Sequence, residues 1–307
     1  MKILITGSTG MVGQNILEHE GFLKHQLVAP ARKELNLFSY EAVFSFIQQS
    51  KPDLIIHCAG RVGGIQANIK HPVDFLVENI DLNRNVILAA KNAGVKKLIN
   101  VGSSCMYPRN SDEALTEDKI LQGELEPTNE GYAIAKIMAQ RLCSYIRRES
   151  PEFIYKTLIP CNLYGRYDKF APEHSHLVPA VIRKLHEAKL KGEKVVDIWG
   201  DGTARREFMY SGDLADCMYK AIYDLESMPE VMNVGLGVDY SVNEYYENCA
   251  KVIGYTGTFK HDLTKPVGMK RKLTSVAKAS AWGWNNKTSL AEGLEKTYQY
   301  FLKLENK

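Results

Sequence analysis

The sequence predicts an α/β fold in which a doubly wound parallel sheet is joined by a smaller α/β C-terminal unit. Short apolar runs rich in β-branched residues alternate with amphipathic segments through the first half of the chain. Strands that are buried on both faces have this continuous apolar character, and their alternation with helices is typical of a parallel sheet. After about residue 165 the alternation loosens, which indicates a second unit with a different organisation.

The individual elements follow from the same pattern. The predicted strands of the first half are 2–6, 26–30, 53–60, 96–103 and 155–160. The predicted helices there are 12–20, 40–50, 73–93 and 131–148. In the second half we expect helices over 176–192 and 241–255 and strands over 194–202 and 231–237. Ser241 and Glu244 have the spacing of a capping box, so the last of these helices is expected to begin at Ser241.

Composition narrows the class of protein. The 307 residues include 39 basic and 36 acidic side chains, and a net charge of +3 gives no argument for binding nucleic acid or an anionic membrane. No apolar run approaches the roughly 18 residues that span a bilayer, and the opening MKILITG runs straight into a strand, so no signal peptide is expected. The six cysteines are scattered without a C-x-x-C pair, which disfavours zinc or disulfides and predicts a reducing cytoplasm.

A glycine-rich turn lies between the first strand and the first helix. Gly7, Gly10 and Gly13 are spaced G-x-x-G-x-x-G, and glycine permits a tight turn that brings backbone close to a pyrophosphate at a helix N-terminus. Such a pattern also occurs in ordinary turns, but its position after the first strand predicts a Rossmann-type dinucleotide site.

The end of the second strand indicates which dinucleotide is bound. An NAD site usually offers an acid there for the ribose hydroxyls, whereas residues 29–31 contain none and Arg32 follows. A guanidinium suits a 2′-phosphate through paired hydrogen bonds, so NADP(H) is favoured over NAD; the alternative is a solvated basic loop.

Tyr132 and Lys136 lie four residues apart and therefore on one face of a predicted helix. A nearby ammonium is expected to lower the pKa of the tyrosine towards neutrality, which suits it for proton transfer. Ser103 or Ser104, at the end of the fourth strand, can hydrogen-bond a substrate oxygen. Tyr-x-x-x-Lys alone is common by chance, but its joint occurrence with the glycine turn and these serines is much more specific.

With these features the sequence resembles the extended short-chain dehydrogenase/reductase family over essentially its whole length. That resemblance implies a catalytic triad of Ser103, Tyr132 and Lys136. Further motifs are similar to the GDP-L-fucose synthase group of the family: GMVG (10–13), VGGIQAN (62–68), GSSCMYP (102–108), LEPTNEGYAIAK (125–136), NLYG (162–165), HSHLVPA (174–180) and WGDGTARREF (199–208). Members epimerise C3 and C5 of GDP-4-keto-6-deoxy-D-mannose and then reduce C4 with NADPH.

Epimerisation next to a ketone needs proton removal on one face and proton return on the other. A thiol and an imidazole form a plausible acid/base pair for this at neutral pH. The resemblance assigns these roles to Cys105 and His176, although an isolated cysteine at a strand end is usually a buried apolar residue. The pair His174 and His176 could suggest metal, but no partner ligands occur at recognisable spacing, so no metal is expected.

The resemblance also implies two sets of binding residues. The cofactor set is Gly7, Thr9, Gly10, Met11, Val12, Gly13, Arg32, Ala59, Gly60, Lys136, Pro160, Asn162, Leu163 and His176. The substrate set, for a GDP-sugar, is Ser104, Asn162, Lys184, Trp199, Arg206 and Lys272. On this basis residues 1–160 form an NADP-binding domain, with a returning segment around 205–240, and residues 161–307 form an interleaved substrate domain.

Several alternatives stay open at this level. The related GDP-L-colitose synthases epimerise only C5 of the 3-deoxy keto sugar, and they need similar acid/base groups. Arg61 replaces a lysine usual in the fucose synthases, which leaves sugar specificity undecided. A C4 reductase would not need the cysteine and histidine, and a non-catalytic dinucleotide sensor often loses the tyrosine or lysine. A homodimer is expected by resemblance, through the helices 73–93 and 131–148.

Overall fold

The computed structural model describes residues 1–110, 113–171, 175–265 and 269–305. Strands and helices alternate through the first half of the chain. The strands are β1 (Lys2–Thr6), β2 (Gln26–Val28), β3 (Leu54–His57), β4 (Lys97–Val101) and β5 (Ile154–Pro160). The helices are α1 (Met11–Glu18), α2 (Tyr40–Ser50), α3 (Ile65–Lys70), α4 (Pro72–Asn92) and α5 (Glu130–Glu149).

The second half has shorter strands and a different order of elements. Its strands are β6 (Asn162–Tyr164), β7 (Val195–Trp199), β8 (Arg205–Arg206), β9 (Phe208–Tyr210), β10 (Val231–Val234), β11 (Tyr240–Ser241), β12 (Thr258–Asp262) and β13 (Arg271–Lys272). Its helices are α6 (Leu177–Lys191), α7 (Ser211–Asp224), α8 (Val242–Ile253), α9 (Ala277–Ala281) and α10 (Leu290–Glu305).

The central sheet has six strands in the order β10-β5-β4-β3-β1-β2, and every neighbouring pair is parallel. The strand order reverses between β1 and β3, because β2 lies on one side of β1 and the later strands lie on the other. In open parallel sheets this reversal opens a crevice at the carboxyl ends of the strands, where ligands bind. The predicted Rossmann-type, doubly wound fold is confirmed.

Alternating side chains of the central strands feed two hydrophobic clusters on opposite faces of the sheet. Ile3 and Ile5 pack in a cluster with apolar residues of α1 and α7, whereas Leu4 packs with apolar residues of α2, α4 and α5. Period-two alternation within buried strands accounts for this division, since successive side chains point to opposite faces. The sheet is therefore covered by helices on both sides, as its continuous apolar strands predict.

A third large cluster lies outside the central sheet. It joins α6, α8 and α10 to residues of β7 and β9, including the fully buried Tyr245 and Leu294. The small sheets of this half are β11-β8-β13, β12-β7 and β6-β9. Strand β10 returns to the central sheet beside β5. Ala279 and Trp284, outside the predicted returning segment 205–240, also pack in the cluster of the central sheet, and the division at residue 160 stays a prediction.

Helix bounds agree closely with the sequence pattern, and most strands are shorter than predicted, although β1 matches its prediction and β5 is one residue longer. The predicted helix 40–50 is α2, and the predicted helix 131–148 differs from α5 by one residue at each end. The predicted strand 53–60 is limited to β3, because the chain leaves the sheet at Cys58 to form the site. The capping box is confirmed: Glu244 N–H donates to Ser241 Oγ at 3.1 Å, and Ser241 N–H donates to Glu244 Oε2 at 2.6 Å.

Candidate active site

The glycine turn after β1 is packed too closely to admit side chains at two of its glycines. Gly7 has a φ of +73°, and a Cβ there would lie 2.7 Å from the Cα of Ala59. A Cβ on Gly13 would lie 2.4 Å from the carbonyl oxygen of Gly7. Gly10 is the N-cap of α1, and no side chain caps this helix, so its first N–H groups remain available to an anion.

The loop after β2 carries the predicted phosphate-binding arginine. The Arg32 guanidinium lies over the ring of Phe38 at 5.6 Å and forms no ion pair within the described residues. Glu34, the only acid nearby in sequence, instead accepts a hydrogen bond from the N–H of Ala31 at 2.7 Å. Ser8 Oγ donates to the carbonyl of Pro30 at 2.9 Å, which ties this loop to the glycine turn. The loop thus offers a free guanidinium and an acid already engaged by backbone.

The predicted triad is brought together where β4 ends and α5 begins. Ser103 is the N-cap of a 3-10 turn, Ser104–Met106, and its Oγ accepts a hydrogen bond from the N–H of Cys105 at 3.3 Å. The Ser103 side chain also lies within hydrogen-bonding reach of Tyr132, in the first turn of α5. Lys136 follows one turn later, with its Nζ 5.8 Å from the centre of the Tyr132 ring.

Lys136 is almost completely buried, and its surroundings are adapted to hold a cation. Its Nζ donates to the carbonyl of Val101, at the end of β4, at 2.8 Å. Gly60 adjoins both this nitrogen and Asn79: a Cβ there would lie 3.7 Å from the nitrogen and 3.3 Å from Asn79 Oδ1. Burial lowers the pKa of Lys136 to about 8, and the neighbouring Cys58 and Cys105 partly oppose this.

The expectation that Lys136 lowers the pKa of Tyr132 is wrong for this structure. Burial raises the pKa of Tyr132, the proximity of Cys105 adds to the increase, and only the contact with Ser103 lowers it. The ammonium is directed at the carbonyl of Val101 rather than at the phenol. Tyr132 is therefore held as a neutral hydroxyl, which can donate a proton to a developing alkoxide.

Behind Lys136, a buried histidine forms part of the sheet. Nδ1 of His57 lies 2.7 Å from Thr6 Oγ1, and its Nε2 lies 2.9 Å from Asn83 Oδ1. Burial first, and then the charge of Lys136, lower the pKa of His57 to about 3. The neutral imidazole donates from Nε2 to the amide oxygen and accepts from the threonine hydroxyl. It thus supports the sheet beside Lys136 without adding a second positive charge.

The sulfur of Cys105 lies in the same environment as the triad. It accepts a hydrogen bond from Asn129 Nδ2 at 3.2 Å, and it interacts electrostatically with both Tyr132 and Lys136. Burial raises the pKa of each of the other five thiols: that of Cys58 to about 12, and those of Cys143, Cys161, Cys217 and Cys249 further. Cys105 alone among the six therefore combines partial exposure with hydrogen bonding by a neighbouring side-chain amide.

His176 begins α6 as its N-cap residue, and its own side chain makes no capping hydrogen bond. Burial lowers the pKa of His176, and the charge of Lys169 adds to this effect. The carbonyl of Ser175 would lie 3.8 Å from a Cβ on Gly64, so this segment packs against the loop that follows β3. His176 is thus a largely neutral imidazole that can accept a proton, whereas His174 lies outside the described residues.

The basic residues of β8 and β13 divide into paired and unpaired groups. Arg205 and Arg271 both contact the nearly buried carboxylate of Asp239, each at 2.6 Å. Arg206 and Lys272 lie side by side in the parallel pair of strands and form no ion pair within the described residues. Burial lowers the pKa of Arg206, which indicates a cation without full compensation.

Glu207 holds the backbone around this pair. Its Oε1 accepts from the N–H groups of Leu236 and Gly237 at 2.7 and 2.9 Å, and its Oε2 accepts from the N–H and hydroxyl of Thr274. The carbonyl of Glu207 accepts from Asn162 Nδ2 at 3.0 Å. One buried carboxylate therefore joins the segments that follow β10 and β13 to the strand that presents Arg206.

The two remaining predicted substrate residues lie at β7. Lys184, on α6, pairs with Asp197 at 2.9 Å and also donates to its carbonyl. Trp199 is 57% exposed at the end of β7, and Lys265 lies over its ring at 5.6 Å. The indole is thus more than half exposed, with Lys265 over its ring, whereas the Lys184 ammonium already has a carboxylate partner.

Pro160, Asn162 and Leu163 lie at the carboxyl end of β5 and in β6, and Ala59 and Gly60 follow β3. All five are therefore at the edge of the sheet that carries the glycine turn and the triad. Ser104 is buried in the 3-10 turn. Thr9, Met11 and Val12 lie in the glycine turn and the first turn of α1.

Comparison with known proteins decides the family. Residues 3–235 match the model of the NAD dependent epimerase/dehydratase family. The chain belongs to that family. It is 54% identical over 306 residues to the GDP-L-colitose synthase of Yersinia pseudotuberculosis, covering 100% of this chain and 99% of that protein. It is 47% identical over 301 residues to the GDP-L-fucose synthase of Azorhizobium caulinodans, covering 98% and 96%.

A solved structure gives the same result for the fold. The GDP-mannoheptose C4 reductase of Campylobacter jejuni, with NADP bound, superimposes with a TM-score of 0.88 at 31% identity, and covers 98% of both chains. The resemblance that the motifs indicate is confirmed by these three relatives.

Two residues of the site are not among the residues that the sequence predicts for it. Asn129 donates a hydrogen bond to Cys105, and His57 lies close to Lys136. Asn129 could have been identified from its place in LEPTNEGYAIAK, as a capping-type residue directly before a helix. His57 gives no such signal, because a histidine in an apolar strand is more often a core residue.

The buried ammonium predicts a pH dependence of stability. Because the pKa of Lys136 falls from 10.5 to about 8 on folding, the cost of burying its charge is complete below pH 8. That cost is relieved as the pH rises from 8 to about 10.5, and it amounts to about 3 kcal/mol. We therefore expect the free energy of unfolding of the wild type to rise by about this amount relative to Lys136→Met across that range, measured by urea denaturation. Parallel pH curves for the two proteins would contradict the assignment.

Proposed function

We propose that the protein is an NADPH-dependent epimerase-reductase acting on a GDP-4-keto-6-deoxy sugar. The observation that carries this proposal is the placement of Cys105 beside a complete Ser103, Tyr132 and Lys136 set, within one strand-to-helix junction. A reductase needs only the triad. A thiol that interacts with two members of the triad adds the proton transfer that inversion of a carbon centre requires.

The cofactor site is formed by the glycine turn, Arg32, Lys136 and the residues at the carboxyl ends of β3 and β5. The uncapped N-terminus of α1 suits a pyrophosphate, and the unpaired guanidinium of Arg32 suits a 2′-phosphate. The C. jejuni relative carries NADP. When bound, NADPH supplies the hydride that reduces C4.

In the reduction, Tyr132 provides the proton and Ser103 orients the oxygen that receives it. The raised pKa of Tyr132 keeps the phenol protonated at neutral pH, so it can hydrogen-bond O4 and protonate the alkoxide as it forms. Lys136, whose ammonium is held at the carbonyl of Val101 one turn from Tyr132, would bind the cofactor ribose.

In the epimerisation, the phenol of Tyr132 stabilises the negative charge of an enolate oxygen. Removal of a proton from the carbon next to C4 moves an electron pair onto O4, where Tyr132 and Ser103 donate hydrogen bonds to the enolate oxygen. Cys105 and His176 act as the acid/base pair, one removing the proton and the other returning one to the opposite face. Burial lowers the pKa of His176, so the imidazole is mostly neutral and able to accept a proton near pH 7.

The nucleotide diphosphate binds to two neighbouring basic residues that form no ion pair within the described part of the chain, although the charge of Glu126 acts on Arg206. Arg206 and Lys272 are adjacent in β8 and β13, and the structure pairs their neighbours Arg205 and Arg271 with Asp239 instead. The exposed ring of Trp199 suits packing against the base, and Asn162 and Ser104 are the residues that the family resemblance implies for the sugar end. Lys184 contributes once its pairing with Asp197 is exchanged for phosphate.

Two substrates are compatible with this site. GDP-4-keto-6-deoxy-D-mannose gives GDP-L-fucose after inversion at C3 and C5, followed by reduction at C4. GDP-4-keto-3,6-dideoxy-D-mannose gives GDP-L-colitose after inversion at C5 and the same reduction. The second candidate is favoured by the 54% identity to a colitose synthase, against 47% for the fucose synthase named above.

Reduction depends on the phenol of Tyr132. We expect Tyr132→Phe to lower kcat for NADPH oxidation by roughly 10²- to 10⁴-fold with either keto sugar, because O4 loses its proton donor. Absorbance at 340 nm under saturating substrate measures this. Tyr145→Phe, on the exposed face of the same helix, is the matched control and should retain full activity. Near-normal turnover by Tyr132→Phe would remove the triad assignment.

Replacement of Cys105 should slow epimerisation much more than reduction. We expect Cys105→Ala to slow deuterium entry from solvent into the carbons beside C4 by at least 10²-fold, while ketone reduction falls much less, since only proton transfer at carbon uses the thiol. Mass spectrometry of the substrate in D₂O measures the exchange. Cys217→Ala, on the buried face of α7, controls for the loss of a thiol. Undiminished exchange would assign Cys105 to structure alone.

The choice between the two sugars can be measured directly as a ratio of kcat/KM values. A site adapted to the 3-hydroxyl should discriminate against the dideoxy substrate strongly, because buried polar groups would lose their partner. A preference for the 3-hydroxylated substrate supports the fucose reaction. A preference of tenfold or more for the dideoxy sugar establishes the colitose reaction instead.

We also propose that the protein is a homodimer. Val73 and Val77 on α4 and Ile134 on α5 are exposed apolar side chains on neighbouring helices, a surface that a second copy would cover. Val77→Glu should then yield monomers in light scattering, whereas Leu190→Glu, at a more exposed site on α6, should remain dimeric. A dimer that survives Val77→Glu unchanged would place the interface elsewhere.

The cytoplasm is the proposed compartment. All six cysteines are free thiols, which suits a reducing environment. None of the helices in the described ranges is long and apolar enough to cross a membrane.

A further inference from the structure

We propose that Asn129 is a positioning residue for the acid/base thiol, and that its side-chain amide holds the Cys105 sulfur in the form that accepts a proton from the substrate. This inference rests on the role of Cys105 proposed above. It assigns to the residue before α5 a function that neither the triad nor the cofactor site requires.

The first observation is that the side chain of Asn129 does not cap α5. Asparagine is among the preferred N-cap residues because its side-chain oxygen accepts a hydrogen bond from an N–H group in the first turn. Asn129 occupies the N-cap position of α5, yet it makes no side-chain capping bond, and its backbone has φ −140° and ψ 23°. Its Nδ2 instead donates to Cys105 Sγ at 3.2 Å. The amide is therefore turned from its helix towards the sulfur.

The second observation concerns the other end of the same amide. Asn129 Oδ1 is buried and has no hydrogen-bond partner among the described residues. A buried acceptor without a partner lowers stability, and such groups are typical of functional sites. The Asn129 side chain therefore makes no capping hydrogen bond and leaves its oxygen without a partner among the described residues, while its N–H group donates to the thiol.

The charged groups around Cys105 give this hydrogen bond a chemical consequence. Tyr132 and Lys136, both on α5, interact electrostatically with the sulfur, and His176, at the start of α6, is the other titratable group of the proposed acid/base pair. Glu126 turns its carboxylate to Thr128, and Glu130 is exposed. A neutral thiol is a weak acceptor whereas a thiolate is a strong one, so an N–H donor favours the thiolate.

The proton transfers then balance between the site and the solvent. The thiolate removes a proton from the carbon beside C4, the C–H bond breaks as the S–H bond forms, and the electron pair moves to O4, where Tyr132 stabilises it. His176, after taking up a proton from solvent, returns that proton to the opposite face of the carbon as the electron pair moves back from O4. The Cys105 thiol then releases its proton to solvent, which restores the thiolate at the Asn129 N–H. The amide remains in place throughout, so it fixes the sulfur without exchanging a proton itself.

Alkylation of the free enzyme by iodoacetamide tests the inference, because only the thiolate reacts. The other five thiols are buried or have raised pKa values, so intact-mass measurements report on Cys105, and Cys105→Ala should take up no label near neutral pH. We expect Asn129→Ala to react about tenfold more slowly at pH 7, with the pH of half-maximal rate moved up by about one unit. Asn129→Asp, which adds a negative charge, should react more slowly still.

Two further variants keep the result interpretable. Asn129→Ser retains a favoured N-cap residue but has no amide N–H, so it should lose reactivity as Asn129→Ala does even if the alanine variant folds poorly. Thr128→Val, next in the same turn, removes a hydroxyl that bonds Glu126 and not the sulfur, and it should match the wild type. The pH profile of deuterium exchange into substrate should shift in parallel with the alkylation profile.

The two proposals fail in different ways. If Asn129→Ala and Asn129→Ser alkylate with the wild-type pH profile, the amide does not hold the thiolate, and this inference is overturned whatever the activity of Cys105→Ala. If Cys105→Ala retains full deuterium exchange, the acid/base role itself is lost, even where Asn129 controls thiol reactivity.

Discussion

Burial of the Lys136 ammonium is the constraint around which the site is organised. The nitrogen lies at the carboxyl end of the central sheet, with the carbonyl of Val101 as its hydrogen-bond acceptor. A nearly buried cation does not tolerate a second positive charge beside it. His57 is held neutral by burial and by the ammonium itself. The lowered pKa of Lys136 is the electrostatic consequence of the same burial.

The same reasoning separates basic residues with structural roles from those available to a ligand. Arg205 and Arg271 share Asp239, whose carboxylate is nearly buried, and their pairing joins β8 and β13. Arg206 and Lys272, one position along, have no such partner among the described residues. A diphosphate would supply the missing negative charge. Glu207 fixes the surrounding backbone through four accepted hydrogen bonds, so the pair is presented by rigid strands rather than by mobile loops.

Much of this could be predicted from the sequence, and the limits have physical causes. The helices and the parallel sheet follow from hydrophobic period, and the capping box at Ser241 fixed the start of α8. The two-residue strands β8, β11 and β13 could not be predicted, because their pairing depends on contacts distant in sequence. The spacing of Tyr132 and Lys136 predicts the pKa shift of the tyrosine in the wrong direction. Spacing shows that a lysine lies near the phenol. It does not show that burial has the larger effect on the pKa of the phenol, or that the ammonium donates to a backbone carbonyl instead. Asn129 is visible as a capping residue in the sequence, whereas its rotation towards Cys105 is visible only in three dimensions.

The central claim is that a single site both inverts a carbon centre and reduces the adjacent ketone. The most direct measurement is the isotopic and stereochemical composition of the product formed from each keto sugar with unlabelled NADPH in D₂O. The account predicts a product of L configuration that carries solvent deuterium at C5, protium from the cofactor at C4, and one molecule of NADPH consumed per sugar. A product of unchanged D configuration without solvent deuterium at C5, formed with the same consumption of NADPH, would contradict the account and identify a simple C4 reductase.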